Sequence, residues 1–197
     1  MSKSNTYNTP KHFEHLFKIF SSLHFLNKEG IGKELPFFIH SFPITKLPEV
    51  ETNIQSLIKR LGNAGIEICE IDLYKLSIEI LKRENLFLQV TEQEKNLPKQ
   101  RLMRVLGGPL NIDRIIIPEI HRKLEVVNAK IVFLTGIGAA FPIIRSHTIL
   151  NNIETLVGDL PLVMFFPGTY NNLSLTLFDR IKDNNYYRAH NLNDYKI

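Results

Sequence analysis

The stretch 130–154, KIVFLTGIGAAFPIIRSHTILNNIE, constrains the fold more than any other part of the chain. An apolar run of strand length empties into a glycine-bearing turn, and a segment of helical period follows. That order is the strand-turn-helix unit of a parallel α/β sheet. In nucleotide-binding versions of the unit, a third glycine or a Gly-Lys-Ser/Thr ending brings backbone N–H groups onto a phosphate. Gly136 and Gly138 stand here without either. The unit specifies an architecture and leaves its chemistry open.

The same alternation runs along the chain. Short runs rich in β-branched and aromatic residues predict strands over 35–42, 66–71, 130–135, 161–166 and 186–191. Between the first two, Val50, Ile54, Leu57, Ile58 and Leu61 share one helical face, with Gly62 or Gly65 as the stop. Asp72 is placed to cap a helix reaching Leu81. Residues 84–128 read as charged and mostly helical, broken at Gly107-Gly108-Pro109, and the run Ile115-Ile116-Ile117-Pro118 reads as a kinked helix start in preference to a strand. Near the beginning, Thr9-Pro10 opens a helix on which Phe13, Leu16, Phe17, Phe20 and Leu23 recur at three- and four-residue steps, ending before Gly30 and Gly32. The expected fold is α/β: three layers, a mostly parallel sheet of about five strands with helices on both faces, and P-loop or Rossmann-like topology lacking phosphate-binding motifs.

A chain of 197 residues suits a single domain, 1–197, in which 1–29 form a helix packed on or projecting from the body and 84–128 a helical insertion. The apolar runs 131–134 and 160–166 are far shorter than the roughly 18 residues that cross a bilayer. The start, MSKSNTYNTPKH, has no apolar core of a secretory signal, and Cys69 is the only cysteine. Both features lead to the expectation of a cytoplasmic protein. The net charge of +4 comes from basic and acidic residues that interleave, as on an ordinary solvated surface, without the one-signed stripe of a nucleic-acid binder.

In open parallel sheets, ligands sit beyond the carboxyl ends of the strands. Three segments are expected to meet there: 135–138, 167–172 and 41–43. Pro142 is read as the start of a helix whose free N–H groups favour an anion, with Arg145, His147 and Asn151 following. Together with Gly136 and Gly138 these form the candidate ligand-binding set, against the plainer use of Arg145 and Asn151 in capping loops. No catalytic residue emerges. The loop SFPITKLPEV carries Thr45 and Lys46 but no glycine, and Ser146 and His147 are adjacent, so on a helix their side chains diverge by about 100°. Cys69 falls mid-strand, where a buried inert thiol is the ordinary outcome, and His12 and His15 share a helix face with no further ligand in sight. No metal or cofactor is expected. The candidate interaction surface comprises Phe13, Phe17 and Phe20 of the first helix, Tyr170, and Asp183, Tyr186, Tyr187 and Arg188 of a C-terminal block dense in Tyr and Arg, the usual interface anchors.

The ordered set FLTGIGAAFPIIRSHTILNNIE, PLVMFFPGTY and LFDRIKDNNYYRAHNL, together with LPFFIHSF and IEICEIDLYKLSIEIL, resembles the BrxB family of the bacterial BREX phage-defence systems. The likeness covers most of residues 30–191. It implies a small cytoplasmic component of a multi-protein apparatus that also includes the phosphatase-like PglZ, the large ATPase BrxC and the adenine methyltransferase PglX, with PglZ the expected direct partner. The family brings no catalytic motif. The leading expectation is a non-enzymatic scaffold; the alternative is a nucleotide- or anion-binding regulatory module at Gly136, Gly138 and Arg145, and a weaker one is DNA contact within the assembly.

Overall fold

The computed structural model describes residues 7–29, 36–183 and 185–195. Its strands are β1 (Phe37–Phe42), β2 (Ile68–Asp72), β3 (Ile131–Thr135), β4 (Leu162–Tyr170), β5 (Leu175–Leu177), β6 (Ile181–Asp183) and β7 (His190–Asn191). The main sheet runs β2-β3-β4-β1-β7, and every pair along that path is parallel. The carboxyl part of β4 leaves the main sheet and pairs antiparallel with β5, which pairs in turn with β6. The expected three-layer, mostly parallel architecture is the one observed, with this antiparallel extension added.

Successive strand residues point to opposite faces, so each apolar run feeds two cores. Phe38, Phe42, Phe133, Val163 and Phe165 face α1 (Thr9–Ser21), α2 (Leu23–Leu26) and α3 (Leu47–Asn63). Ile39, Ile71, Val132, Leu134 and Met164 face the other way, toward α4 (Leu73–Arg83), α7 (Ile117–Glu125) and α9 (Ser146–Val157). That explains why β1 and β3 are buried at every position without alternation: both of their faces are covered. On the second side, α5 (Phe87–Glu94), α6 (Lys99–Leu106) and a π-helical turn (Ile112–Ile116) fill 84–128 ahead of α7, so the Ile115–Pro118 run is helical as expected. Asp72 caps α4 by accepting from the N–H groups of Tyr74 (3.1 Å) and Lys75 (3.0 Å).

Several local expectations are corrected. Asn8, not Thr9, caps α1, accepting from the Lys11 N–H at 3.0 Å, and Thr9 instead donates to Glu49 Oε2 at 2.7 Å. The helix breaks at Ser22, whose side chain caps α2, and the break turns Leu23 outward to 73% exposure, away from the stripe. Gly30, Gly32 and Leu35 lie outside the described residues. β4 continues past Phe166 to Tyr170, because its end finds a new antiparallel partner in β5. The strand expected over 186–191 is confined to His190–Asn191. The Tyr170 hydroxyl donates to the carbonyls of Tyr187 (3.1 Å) and Ala189 (2.9 Å), taking acceptors that a longer ladder would use. Pro142 does not start α9. A turn closed by the N–H groups of Ile143 and Ile144 onto the Ala140 carbonyl, followed by extended Arg145, separates it from Ser146.

Candidate functional site at the carboxyl edge of the sheet

The three segments expected at the carboxyl edge do converge there: residues from 42–44, Thr135–Ala139 and Pro167 line one hollow. Gly136 adopts φ 70°, and a Cβ at this position would strike the Asp72 carboxylate and come within 2.9 Å of the Tyr74 nitrogen. The glycine is therefore required for close approach to the cap of α4. The approaching group is a carboxylate, which repels an anion. At Gly138 a Cβ would lie 2.7 Å from the ring of Phe178, with Pro167 at 3.0 Å. Both glycines of the motif serve packing of the chain against itself, which accounts for a Gly-x-Gly turn without a phosphate motif. The helix that follows, α8 (Ile137–Ala140), is a single turn.

Phe178 arrives from the β5–β6 turn. It and Asp179 have φ of 56° and 57°, and the Arg180 N–H bonds to the Leu177 carbonyl at 3.0 Å, as in a type I′ hairpin turn. A bulky residue at positive φ is uncommon and persists where surrounding contacts fix it. Here the Phe178 N–H also bonds to the Pro167 carbonyl at 2.9 Å, seating the ring over Gly138. The glycine turn is thus covered by the protein's own hairpin, while a hollow of about 710 Å3 stays open at the carboxyl ends of β1 and β4, lined by Lys11, His12, His15, Ser41, Gly168 and Asp179.

The remaining predicted ligand residues do not join the glycines. Arg145 and Asn151 are exposed, and neither lines the hollow that holds Gly136 and Gly138. His147 instead meets the C-terminal block: its Nδ1 lies 3.3 Å from Asp183 Oδ2, which accepts from the Tyr187 hydroxyl at 2.6 Å, while Asp183 Oδ1 accepts from the Asn185 N–H at 3.0 Å. Burial pushes the Asp183 carboxyl up, but the hydrogen bonds from Tyr187, Asn185 and His147 outweigh it and hold it below the usual carboxylate range. Burial, and then the Asp183 carboxylate, push the Tyr187 phenol far above its ordinary value. It stays protonated as a structural donor and is no nucleophile.

Of the predicted interaction residues, Phe13, Phe20, Tyr170 and Tyr187 are buried and build the interior, and Phe17 lies beneath the Arg60 guanidinium, 4.2 Å from its ring centre. Tyr186 and Arg188 are exposed, and the bond from the Tyr187 N–H to the Leu173 carbonyl (3.1 Å) holds them beside exposed Leu173. Ile181 on β6 is exposed as well.

The sequence groups His12 with His15; the fold instead sets His12 beside His40, which the sequence does not single out. His40 of β1 is fully buried, with Nε2 2.8 Å from the Tyr7 hydroxyl and its Nδ1 without a hydrogen-bond partner among the described residues. The rings of His12 and Tyr7 stack at 4.2 Å, and the His12 ring lies 5.8 Å from that of His40. Burial first, and then the His12 imidazole, bring His40 down to about 3. His15 Nε2 bonds instead to the Tyr195 carbonyl at 3.1 Å. Among the described residues no group of three or more His, Cys, Asp or Glu has the arrangement to hold a metal ion. A lone histidine inside a strand carries no sequence signal that would have found this cluster.

The family model for BREX protein BrxB matches residues 69–192. The chain is also 38% identical over 174 residues to a BREX protein BrxB of Bacillus cereus (strain H3081.97), covering 86% of this chain and 90% of that one. It is 32% identical over 168 residues to a BREX protein BrxB of Escherichia coli O9:H4 (strain HS), covering 85% and 83%. The chain belongs to the BrxB family. The matched BrxB region holds Asp72, both crevice glycines, the hairpin and Tyr186–Arg188, and leaves α1 and β1 outside it. No solved structure matches the chain.

Proposed function

We propose that the chain is a non-enzymatic scaffold or adaptor subunit of a BREX phage-defence complex, and that it docks the phosphatase-like PglZ protein, with BrxC and PglX as further members of the assembly. One observation carries this reading: the hairpin sets Phe178 over the glycine turn where a ligand would sit, while the same C-terminal region turns Leu173, Ile181, Tyr186 and Arg188 to solvent. Exposed Tyr and Arg beside aliphatic area are the composition of interface anchors. The Asp183 network ties β6 to α9 through His147, so hydrogen bonds anchor this surface to the body of the protein. Membership of the BrxB family supports the BREX setting.

The test is native mass spectrometry of the chain co-expressed with PglZ. A discrete complex of the two is expected, and persistent absence of one contradicts the adaptor role. No helix among the described residues is long and apolar enough to cross a membrane.

A further inference from the structure

Beside the hairpin, apart from the large hollow over β1 and β4, the carboxyl edge holds two smaller ones. Phe42, Val50, Ile54, Ile137, Phe165 and Phe178 enclose a hollow of about 210 Å3, and the polar side chains on its wall are Glu51 and Thr135. That is smaller than the roughly 300 Å3 at which small-molecule sites begin, and larger than the roughly 150 Å3 that holds one benzene ring. Its size suits a single large apolar side chain. Across Thr135, Gly136 and Ala139 lies a second hollow of about 190 Å3, whose wall carries charged as well as apolar groups.

The second hollow has a charge opposite to that of a phosphate site. Glu51, Glu70 and Asp72 line it against one cation, Lys75, which pairs with Asp72 at 3.1 Å. Glu70 is fixed in place, accepting from Gln55 Nε2 (2.8 Å) and Thr135 Oγ1 (3.0 Å). Glu51 is exposed and has no ion pair among the described residues. The Asp72 hydrogen bond, with Glu70 and Glu51 adding to it, holds the Lys75 ammonium above its usual range, so the three carboxylates act on one field. The two hollows adjoin along Glu51, Ile54, Thr135, Gly136 and Ala139, so together they offer a groove-like surface with an apolar hollow on one side and three carboxylates on the other.

We propose that this groove docks an extended segment of a partner protein, which sets one large apolar side chain into the 210 Å3 hollow and a neighbouring Lys or Arg against Glu51, Glu70 and Asp72. The inference rests on the adaptor reading for the existence of a partner and goes beyond it in naming the site and the chemistry that fills it. The apolar side chain supplies the anchor and the cation supplies the choice, since buried anchors dominate interface energy while exposed charge pairs set preference.

The probe is N-acetyl-Arg-Phe-Arg-amide, titrated into the nitrogen-15-labelled full chain and followed by NMR. Saturable shifts are expected at the amides of Thr135 through Ala139. Replacing Phe by Ala in the peptide should weaken binding about tenfold or more. Replacing both Arg by Glu should weaken it about threefold or more. Ala139→Trp, on an exposed residue of the shared wall, should abolish the shifts, and Glu51→Lys should reverse the charge preference; the unperturbed remainder of each spectrum reports that the fold is kept. Shifts that are absent, scattered or indifferent to Ala139→Trp overturn the proposal. So does a wild-type dimer that Ala139→Trp returns to monomer, because the occupant is then a second copy of this chain. If BREX subunits co-purify equally with wild type and Ala139→Trp and no peptide binds, the groove fails and the adaptor reading stands. If the peptide binds and no subunit co-purifies, the groove stands and the adaptor reading fails.

Discussion

Phe13 and Phe20 on α1 and Tyr186 and Tyr187 near the C-terminus are aromatic pairs offered by the sequence as partner surface, and the fold treats them differently. Both phenylalanines are buried, whereas Tyr186 is 67% exposed and its neighbour Tyr187 4%. On α1 the pair is spaced by helical period, so both rings fall on one face and meet Phe133, Phe165 and Phe25. In the C-terminal segment the two rings are adjacent and have different fates, Tyr187 reaching Asp183 and Tyr186 standing in solvent. Spacing, not residue type, decides which aromatic builds the core and which is free to meet a partner.

The sharpest way to break that contrast is Phe20→Ala, which should cost about 3–5 kcal/mol in urea unfolding, while Tyr186→Ala should stay within about 0.5 kcal/mol. Comparable losses at both positions would mean that the C-terminal surface is core. The next largest effect concerns pH. His40 is brought down to about 3 in the folded chain by burial first and by the His12 imidazole second, against about 6.5 unfolded. The unfolded state then binds the extra proton between these values, so this contribution to stability is whole above about pH 6.5 and falls as pH drops toward 3. His40→Phe should flatten that slope in urea midpoints measured across the same window; an unchanged slope would show that His40 does not set it.

Smaller still is Tyr187→Phe, which removes the 2.6 Å bond to Asp183 and should cost about 1–2 kcal/mol. The Asp183 carboxyl should then titrate higher, since one of the hydrogen bonds holding it down is gone; carbon-13 NMR of the carboxyl reads this. Smallest is the response to ATP or inorganic phosphate, for which no saturable melting shift is expected, because Asp72 faces Gly136 where an anion would lie. A saturable shift that Arg145→Ala removes would favour the anion-binding alternative.

The architecture was legible because parallel strands covered on both faces read as uninterrupted apolar runs, and helix stops and caps such as Asp72 have local signatures. The hairpin was not. Pro167 and Gly168 are turn residues in any local reading, and what keeps β4 extended through them is pairing of Pro167 with β1 and of Gly168 with β5, contacts made only in the fold. Phe178 at positive φ violates the usual residue choice for its turn, so nothing local announced that it covers Gly138. His147 and Asp183 were each singled out for separate roles, and their union needs a contact 36 residues long in sequence. Long-range pairings of this kind are where local pattern carries no information.

The central claim is that docking of partner proteins, with the exposed C-terminal surface as its main site, and not a nucleotide or phosphate at the glycine turn, gives the chain its role. Affinity capture of PglZ by the tagged chain tests it most directly, comparing wild type with the double variant Tyr186→Ala, Arg188→Glu at matched melting temperature. The account predicts capture by wild type and its loss in the double variant; undiminished capture by the double variant would contradict it.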